Sequence, residues 1–151
     1  MPAVMPFAWA QLLAAVLAAA VPTLRVEITS ALGPSPGLAT LQVHLRPTDM
    51  ALGAYQGSLH YESGALSIMS ISAPGKDGTR MFNAADSATG VVRFAGFTTT
   101  GFTGTLALTL VVRPARPLGR AGLVAAVDVA GDVDGKAVAR ERLIPARGVR
   151  D

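Results

Sequence analysis

The sequence contains no cysteine, and charged and aromatic residues are scarce, at 15% and 5% of its 151 residues. Without cysteine there is no disulfide framework, no zinc-thiolate site and no cysteine nucleophile, so an exported form would depend on its core alone. The low charge, beside 50% hydrophobic residues, excludes disorder driven by charge. A chain of this length forms one domain and buries about two-thirds of its unfolded surface.

The basic residues lack the aromatic partners that nucleic-acid binding uses. There are 13 Lys and Arg against 10 Asp and Glu, and the whole excess lies after Val112. The basic C-terminal tail, residues 140–150, is interrupted by Glu141 and contains no aromatic residue, whereas single strands are bound by stacking on aromatic side chains. We therefore expect no nucleic-acid partner.

The N-terminal segment is uncharged as far as Leu24 and contains an apolar run from Phe7 to Val21. The small residues at Ala18–Ala20 suit a signal-peptide cleavage site, and we favour export to an extracellular, cell-surface or periplasmic location. The segment has no basic residue ahead of the run, and its length approaches the ~20 residues of a membrane-spanning helix. Residues 1–21 are thus predicted to be a cleaved signal, with an uncleaved anchor or a core helix as alternatives.

Beyond Pro22 the hydrophobic residues recur at every second position, which is typical of strands with one buried face. In Ala65–Ser72 the alternation changes phase between Ile68 and Met69, which predicts either a β-bulge or an exchange of the strand between sheets. The other alternating segments are Leu38–Arg46, Gly53–Tyr61, Gly90–Phe97, Thr105–Arg113 and Gly122–Ala130. The residues predicted to point into the core are Leu41, Val43, Leu59, Leu66, Val92, Phe94, Leu106, Leu108, Leu110, Val127 and Val129.

Turn residues separate these segments and leave no room for a helix of ordinary length. The turns are predicted at Gly33–Gly37, Pro74–Gly78, Thr99–Gly104, Pro114–Gly119 and Asp134–Gly135. Short strands at this spacing predict an all-β fold, an antiparallel β-sandwich of jelly-roll type with about nine strands. It would follow the N-terminal signal or anchor helix and occupy residues 24–151.

The sequence does not predict an enzyme or a cofactor. It has no G-x-S-x-G motif, and His44 and His60 fall within predicted strands, so a Ser-His-Asp triad is not expected. Glu27, Glu62 and Glu141 are scattered, whereas a glycosidase needs two carboxylates across a cleft.

Three acidic residues, Asp128, Asp132 and Asp134, are close enough in sequence to suggest a calcium loop. Their spacing does not match an EF-hand, and the pair Asp134–Gly135 is favoured in tight hairpin turns. We therefore expect a turn there and no metal site.

The order of the strands resembles that of a cohesin module over residues 24–150. Leu41–Ala73 resembles the opening strands of that family, and Tyr61–Leu66 stands where cohesins have a Y-D-P-x-x-L element. The resemblance continues through Gly90–Ala95, Leu106–Val112 and Val127–Val138. It implies a nine-stranded jelly-roll sandwich, related to carbohydrate-binding modules, that is non-catalytic and binds the dockerin of a polysaccharide-degrading enzyme.

The resemblance also implies a binding face on the strand before Tyr61. Cohesins carry Asn and Asp there, at positions that Ala54 and Gln56 hold in this sequence. Periodicity independently places Ala54, Gln56, Ser58 and His60 on the outward side of that strand. The predicted partner-binding residues are Gln56, Ser58, His60 and Arg93, although a solvated surface histidine is the simpler interpretation of His60.

Three functions remain open at this level. The first is an exported adaptor that attaches to a dockerin-like or envelope protein and takes part in polysaccharide breakdown. The second is a carbohydrate-binding module, for which Phe82, Phe97 and Phe102 are the aromatic residues available to form a loop platform. The third is a structural envelope domain held by the N-terminal segment.

Overall fold

The computed structural model describes residues 21–102 and 104–138, together with the backbone of residues 143–144 and 146–147. The predicted signal or anchor, residues 1–21, lies outside the described residues except for Val21. Within the described ranges no helix has the length and hydrophobicity needed to cross a membrane.

The described residues form ten strands in two five-stranded sheets. The first sheet has the order β4-β7-β2-β1-β9 and the second has the order β10-β8-β3-β6-β5. Every pairing is antiparallel except that between β1 and β9. The strands are β1 (Thr23–Leu32), β2 (Ala39–Thr48), β3 (Leu52–His60), β4 (Leu66–Ser72), β5 (Thr79–Asn83), β6 (Val91–Phe102), β7 (Thr105–Pro114), β8 (Val124–Asp132), β9 (Leu143–Ile144) and β10 (Ala146–Arg147). The predicted antiparallel β-sandwich is confirmed.

The inner faces of the two sheets form one core. Leu41, Val43 and Leu45 of β2 are fully buried, and the alternate residues of that strand face outward. The same alternation buries Tyr55 and Leu59 on β3. Burial of apolar area of this kind is the main favourable term in folding. The other predicted core residues that are buried are Leu66, Val92, Phe94, Leu108, Leu110 and Val127.

The prediction that Leu106 lies in the core is wrong. On β7, Thr105 and Ala107 are buried while Leu106 is only half-buried. The register explains the change, because Val43 of β2 pairs with Leu108 whereas the next residue, His44, pairs with Leu106. A β-bulge at Ala107 therefore reverses the side-chain direction N-terminal to Leu108.

A second bulge on β8 makes the prediction for Val129 wrong. Gln56 of β3 pairs with Val129, and Gly57 pairs with Val127, so Asp128 is the extra residue. Val129 consequently faces outward and is 61% exposed, and Ala130 takes the buried position.

The change of phase on β4 is a bulge, the first of the two predicted alternatives. Ile68 pairs with Val112 and Ser70 pairs with Val111, which leaves Met69 as the inserted residue. Met69 is exposed, and Ile71 again packs against the core.

Arg80 on the edge strand β5 points inward and connects the two sheets. Its guanidinium lies 4.9 Å from the centre of the Phe102 ring, and its Nη1 donates to the carbonyls of Pro74 and, at 3.2 Å, of Leu106 on β7. Phe102 also packs edge-on against Tyr55, with 5.5 Å between ring centres. Phe102 is thus a core residue at 2% exposure and is not available for the loop platform of the carbohydrate-binding alternative.

We expect Leu108→Ala to lower the free energy of unfolding by about 2 to 5 kcal/mol, because it opens a cavity between the sheets. Leu106→Ala removes the same atoms from a half-exposed position and should cost about 1 kcal/mol or less. Urea unfolding of both variants measures the difference. Equal losses would show that the bulge at Ala107 is misplaced.

We expect Arg80→Met to loosen β5 in particular, because the variant keeps the aliphatic stem but loses the donors to Pro74 and Leu106. Hydrogen exchange should become faster at the amides of Thr79–Asn83 and stay unchanged in β3 and β8. Arg113→Met, at an exposed position on β7, is the control. Uniformly faster exchange across the sandwich would contradict a local role for Arg80.

Candidate functional site

Strand β3 is the middle strand of the second sheet and brings the four predicted site residues onto one outer face. Ser58 pairs with Arg93 of β6 on one side and with Ala126 of β8 on the other. Residues directly opposite in an antiparallel pair point to the same side of the sheet. Gln56 and His60 therefore share this face with Ser58 and Arg93, and the neighbourhood predicted for Arg93 is confirmed. The binding role of the four residues stays a prediction.

These residues line one depression of about 220 Å³, which we name the polar pocket. Its floor is the β3 backbone at Gly57, and its walls come from three strands. Asp128 on β8 was not among the predicted site residues, although the alternation that places Val127 in the core already indicates that Asp128 faces outward. The lining residues are Gln56, Gly57, Ser58, His60, Val91, Arg93 and Asp128.

Ser58 faces outward as predicted, but it is only 8% exposed. Its Oγ and the Nε2 of His60 share a hydrogen bond of 2.8 Å. The larger Arg93 beside it and His60 next along the strand leave the hydroxyl little contact with water. A larger side chain at this position has to displace these neighbours, so Ser58 is constrained although it faces outward.

The polar pocket has a positive wall and a negative wall. Arg93 is paired only loosely, with 3.9 Å between its Nε and the Asp86 carboxylate, and both side chains are more than half exposed. Such exposed pairs contribute little to stability. On the opposite side of β3, Asp128 is exposed, and its carboxylate makes no hydrogen bond or ion pair with any described residue.

Exposed apolar side chains continue the face beyond the polar pocket. Met81, Phe97 and Val129 are 50%, 53% and 61% exposed. Met81 and Val129 lie in the same cross-strand row as Gln56, and Phe97 pairs with Ala54 in the next row. We name Met81, Phe97 and Val129 the apolar strip. Alternation along β5 places Thr79, Met81 and Asn83 on one side, so the sequence could have indicated that Met81 faces outward. The outward direction of Val129 depends on the bulge.

Ser58, His60 and Asp128 are the residue types of a hydrolase triad, but the surroundings do not fit that chemistry. Both edges of β3 are paired, with β6 and with β8. The backbone N–H groups near Ser58 are therefore engaged in the sheet, whereas acyl transfer requires free donors for the developing oxyanion.

His44 and the acidic turn are separate from this face. His44 lies on the outer side of the first sheet, 3.1 Å from Thr29 Oγ1, and burial together with the nearby Arg46 lowers the pKa of its imidazole. Asp132 Oδ1 accepts the backbone N–H groups of Asp134 and Lys136 at 3.0 and 2.8 Å. This confirms the predicted turn, and the described ranges hold no group of three or more residues suited to bind a metal.

Comparison with solved structures shows that the chain has a cohesin-like fold. A non-cellulosomal cohesin from the archaeon Archaeoglobus fulgidus superposes with a TM-score of 0.56 at 13% identity, covering 87% of this chain and 93% of that one. The sixth cohesin of Acetivibrio cellulolyticus scaffoldin B, in complex with the Cel5 dockerin, gives 0.56 at 12% identity, covering 81% and 96%. The Coh-OlpA–Doc918 cohesin–dockerin complex of Clostridium thermocellum gives 0.55 at 11% identity, covering 83% and 96%. No protein-family model and no curated protein sequence matches the chain.

We expect Ser58→Lys to destabilise the domain by about 1 to 3 kcal/mol, because it breaks the bond to His60 and places a second cation beside Arg93. Gln56→Arg, at an exposed position on the same strand, should change stability by less than about 0.5 kcal/mol. Urea midpoints compare the two variants. If both are equally well tolerated, the burial of Ser58 is not a constraint on this face.

Proposed function

We propose that this chain is a non-catalytic module that attaches to a partner protein through the outer face of the second sheet. One observation carries the proposal: the polar pocket and the apolar strip lie side by side on that face. Protein interfaces combine an apolar centre with polar groups that fix the orientation of the partner. An exposed group of large apolar side chains marks such a surface.

The cohesin-like fold supports the same use of the face. Two of the similar structures are cohesins in complex with dockerins. In this chain Ala54 and Gln56 stand where the resemblance implies Asn and Asp, so the surface chemistry at these positions differs from the family pattern. We therefore propose a dockerin-like or envelope protein as the partner, without a requirement for the dockerins of those assemblies.

Export completes the proposal. The uncharged N-terminal segment has the composition of a signal peptide or an anchor, and the domain needs no disulfide because its core is continuous. We place the module in the extracellular space, on the cell surface or in the periplasm, where attachment to a polysaccharide-degrading protein would be useful.

The arrangement of aromatic residues argues against a carbohydrate platform. Phe97 faces outward with Ala54, whereas Phe82 pairs with Phe94, whose ring is in the core. The two exposed rings therefore belong to opposite sides of the second sheet, and Phe102 is buried. Stacking on a sugar chain needs rings that share one surface.

Selection from a display library of protein fragments from the source genome tests the proposal. The full chain is immobilised, and selected fragments are titrated against the wild type and two matched variants. Gln56→Arg, on the proposed face, should weaken a true partner about tenfold or more. Gln42→Arg, on the outer side of the first sheet, should leave the affinity unchanged.

Two outcomes would overturn the proposal. One is binding that is equally sensitive to both variants or to neither, which would place the interface elsewhere. The other is retention of the chain on insoluble polysaccharide with no protein partner selected, which would favour the carbohydrate-binding alternative.

A further inference from the structure

The polar pocket contains hydrogen-bonding groups that the described part of the chain does not use. The side chains of Gln56 and Asp128 have no hydrogen-bond or ion-pair partner there, and that of Arg93 has only the 3.9 Å contact with Asp86. By contrast, Ser58 Oγ and His60 Nε2 share a hydrogen bond of 2.8 Å. The pocket thus offers unused hydrogen-bond donors and acceptors. Arg93 supplies donors, Asp128 supplies acceptor oxygens, and the amide of Gln56 supplies both.

The two charged walls lie on opposite sides of β3. Arg93 is on β6 and Asp128 is on β8. Each of these strands lies about 4.8 Å from β3, so the backbones of β6 and β8 are about 10 Å apart. Gln56 lies between them. Gly57 is fixed as glycine from the core side of the sheet, where an added Cβ would lie 2.3 Å from the Ala126 carbonyl oxygen and 2.8 Å from the Phe94 ring.

This arrangement selects among the side chains that a partner can present. A carboxylate attracted by Arg93 meets Asp128, and an ammonium attracted by Asp128 meets Arg93, so each charged group is opposed by one wall. A hydroxyl carries its donor and its acceptor on a single atom, so it spans a shorter distance between the two walls than a carboxamide does. A carboxamide separates its C=O from its NH₂ and can engage both walls at once.

We propose that the polar pocket recognises a carboxamide side chain, Asn or Gln, of the partner. The amide oxygen accepts from Arg93, the NH₂ group donates to Asp128, and the amide of Gln56 complements either end. This inference rests on the proposed function of the same face. It presupposes that a protein partner binds there, and it specifies which side chain of that partner enters the polar pocket.

Fragment titration tests the specificity without the partner. The isotope-labelled full chain is titrated with N-acetyl-glutamine methylamide, and the amide resonances of Gln56, Ser58 and Arg93 are followed by NMR. Saturation is expected in the millimolar range for so small a ligand. The methylamides of N-acetyl-glutamate, N-acetyl-lysine and N-acetyl-serine share the same backbone amides and should bind at least about threefold more weakly.

Two truncated variants distinguish recognition of a neutral side chain from recognition of a charged one. Arg93→Ala and Asp128→Ala should each weaken the glutamine fragment about threefold or more, since both walls contribute. Arg113→Ala, at an exposed position on the first sheet, is the control and should have no effect.

A different pattern would overturn the carboxamide assignment. Tighter binding of the glutamate fragment, strengthened further by Asp128→Ala, would show an anion pocket, and preference for the lysine or serine fragment would contradict the proposal equally. Absence of any shift at these resonances would also refute it. None of these results bears on whether selected protein fragments bind the face, so failure here and failure of the proposed function are distinguishable.

Discussion

Strand β3 is hydrogen-bonded along both of its edges, by β6 on one side and by β8 on the other. This double pairing fixes the second sheet from its middle. It buries Tyr55 and Leu59 against the first sheet and presents Gln56, Ser58 and His60 on the outside. Arg93 and Asp128 take their places only because their strands are in register with β3. The interior and the outer face therefore depend on the same set of backbone bonds.

The bulge at Asp128 brings an apolar residue onto the outer face beside the polar pocket. Without the inserted residue, Val129 would point into the core, as the alternation of the sequence predicts. With it, Asp128 and Val129 are consecutive residues that are both exposed. Asp128 supplies the negative wall of the polar pocket, and Val129 joins Met81 and Phe97 in the apolar strip. The irregularity in the ladder thus adds Val129 to the outer face, directly beside Asp128.

The alternation of hydrophobic residues predicted the sandwich, most of the core and the direction of Gln56 and His60, because these depend on each strand alone. The bulge at Met69 could also be predicted, since the apolar residues themselves change phase there. The bulges at Ala107 and Asp128 could not, because they arise from pairing with β2 and β3, which are remote in sequence. The burial of Ser58 likewise depends on its cross-strand neighbour Arg93 and on the bond to His60. The N-terminal prediction lies outside the described residues.

The floor and the walls of the polar pocket differ in how freely they can evolve. Gly57 is held by the Phe94 ring beneath it, where no side chain fits. Gln56, Arg93 and Asp128 stand on three different strands, and none of them packs in the core. Mutation can therefore alter the walls one at a time while the sandwich keeps its stability. A lineage could exchange one binding partner for another through such single substitutions, without passing through a sequence that fails to fold.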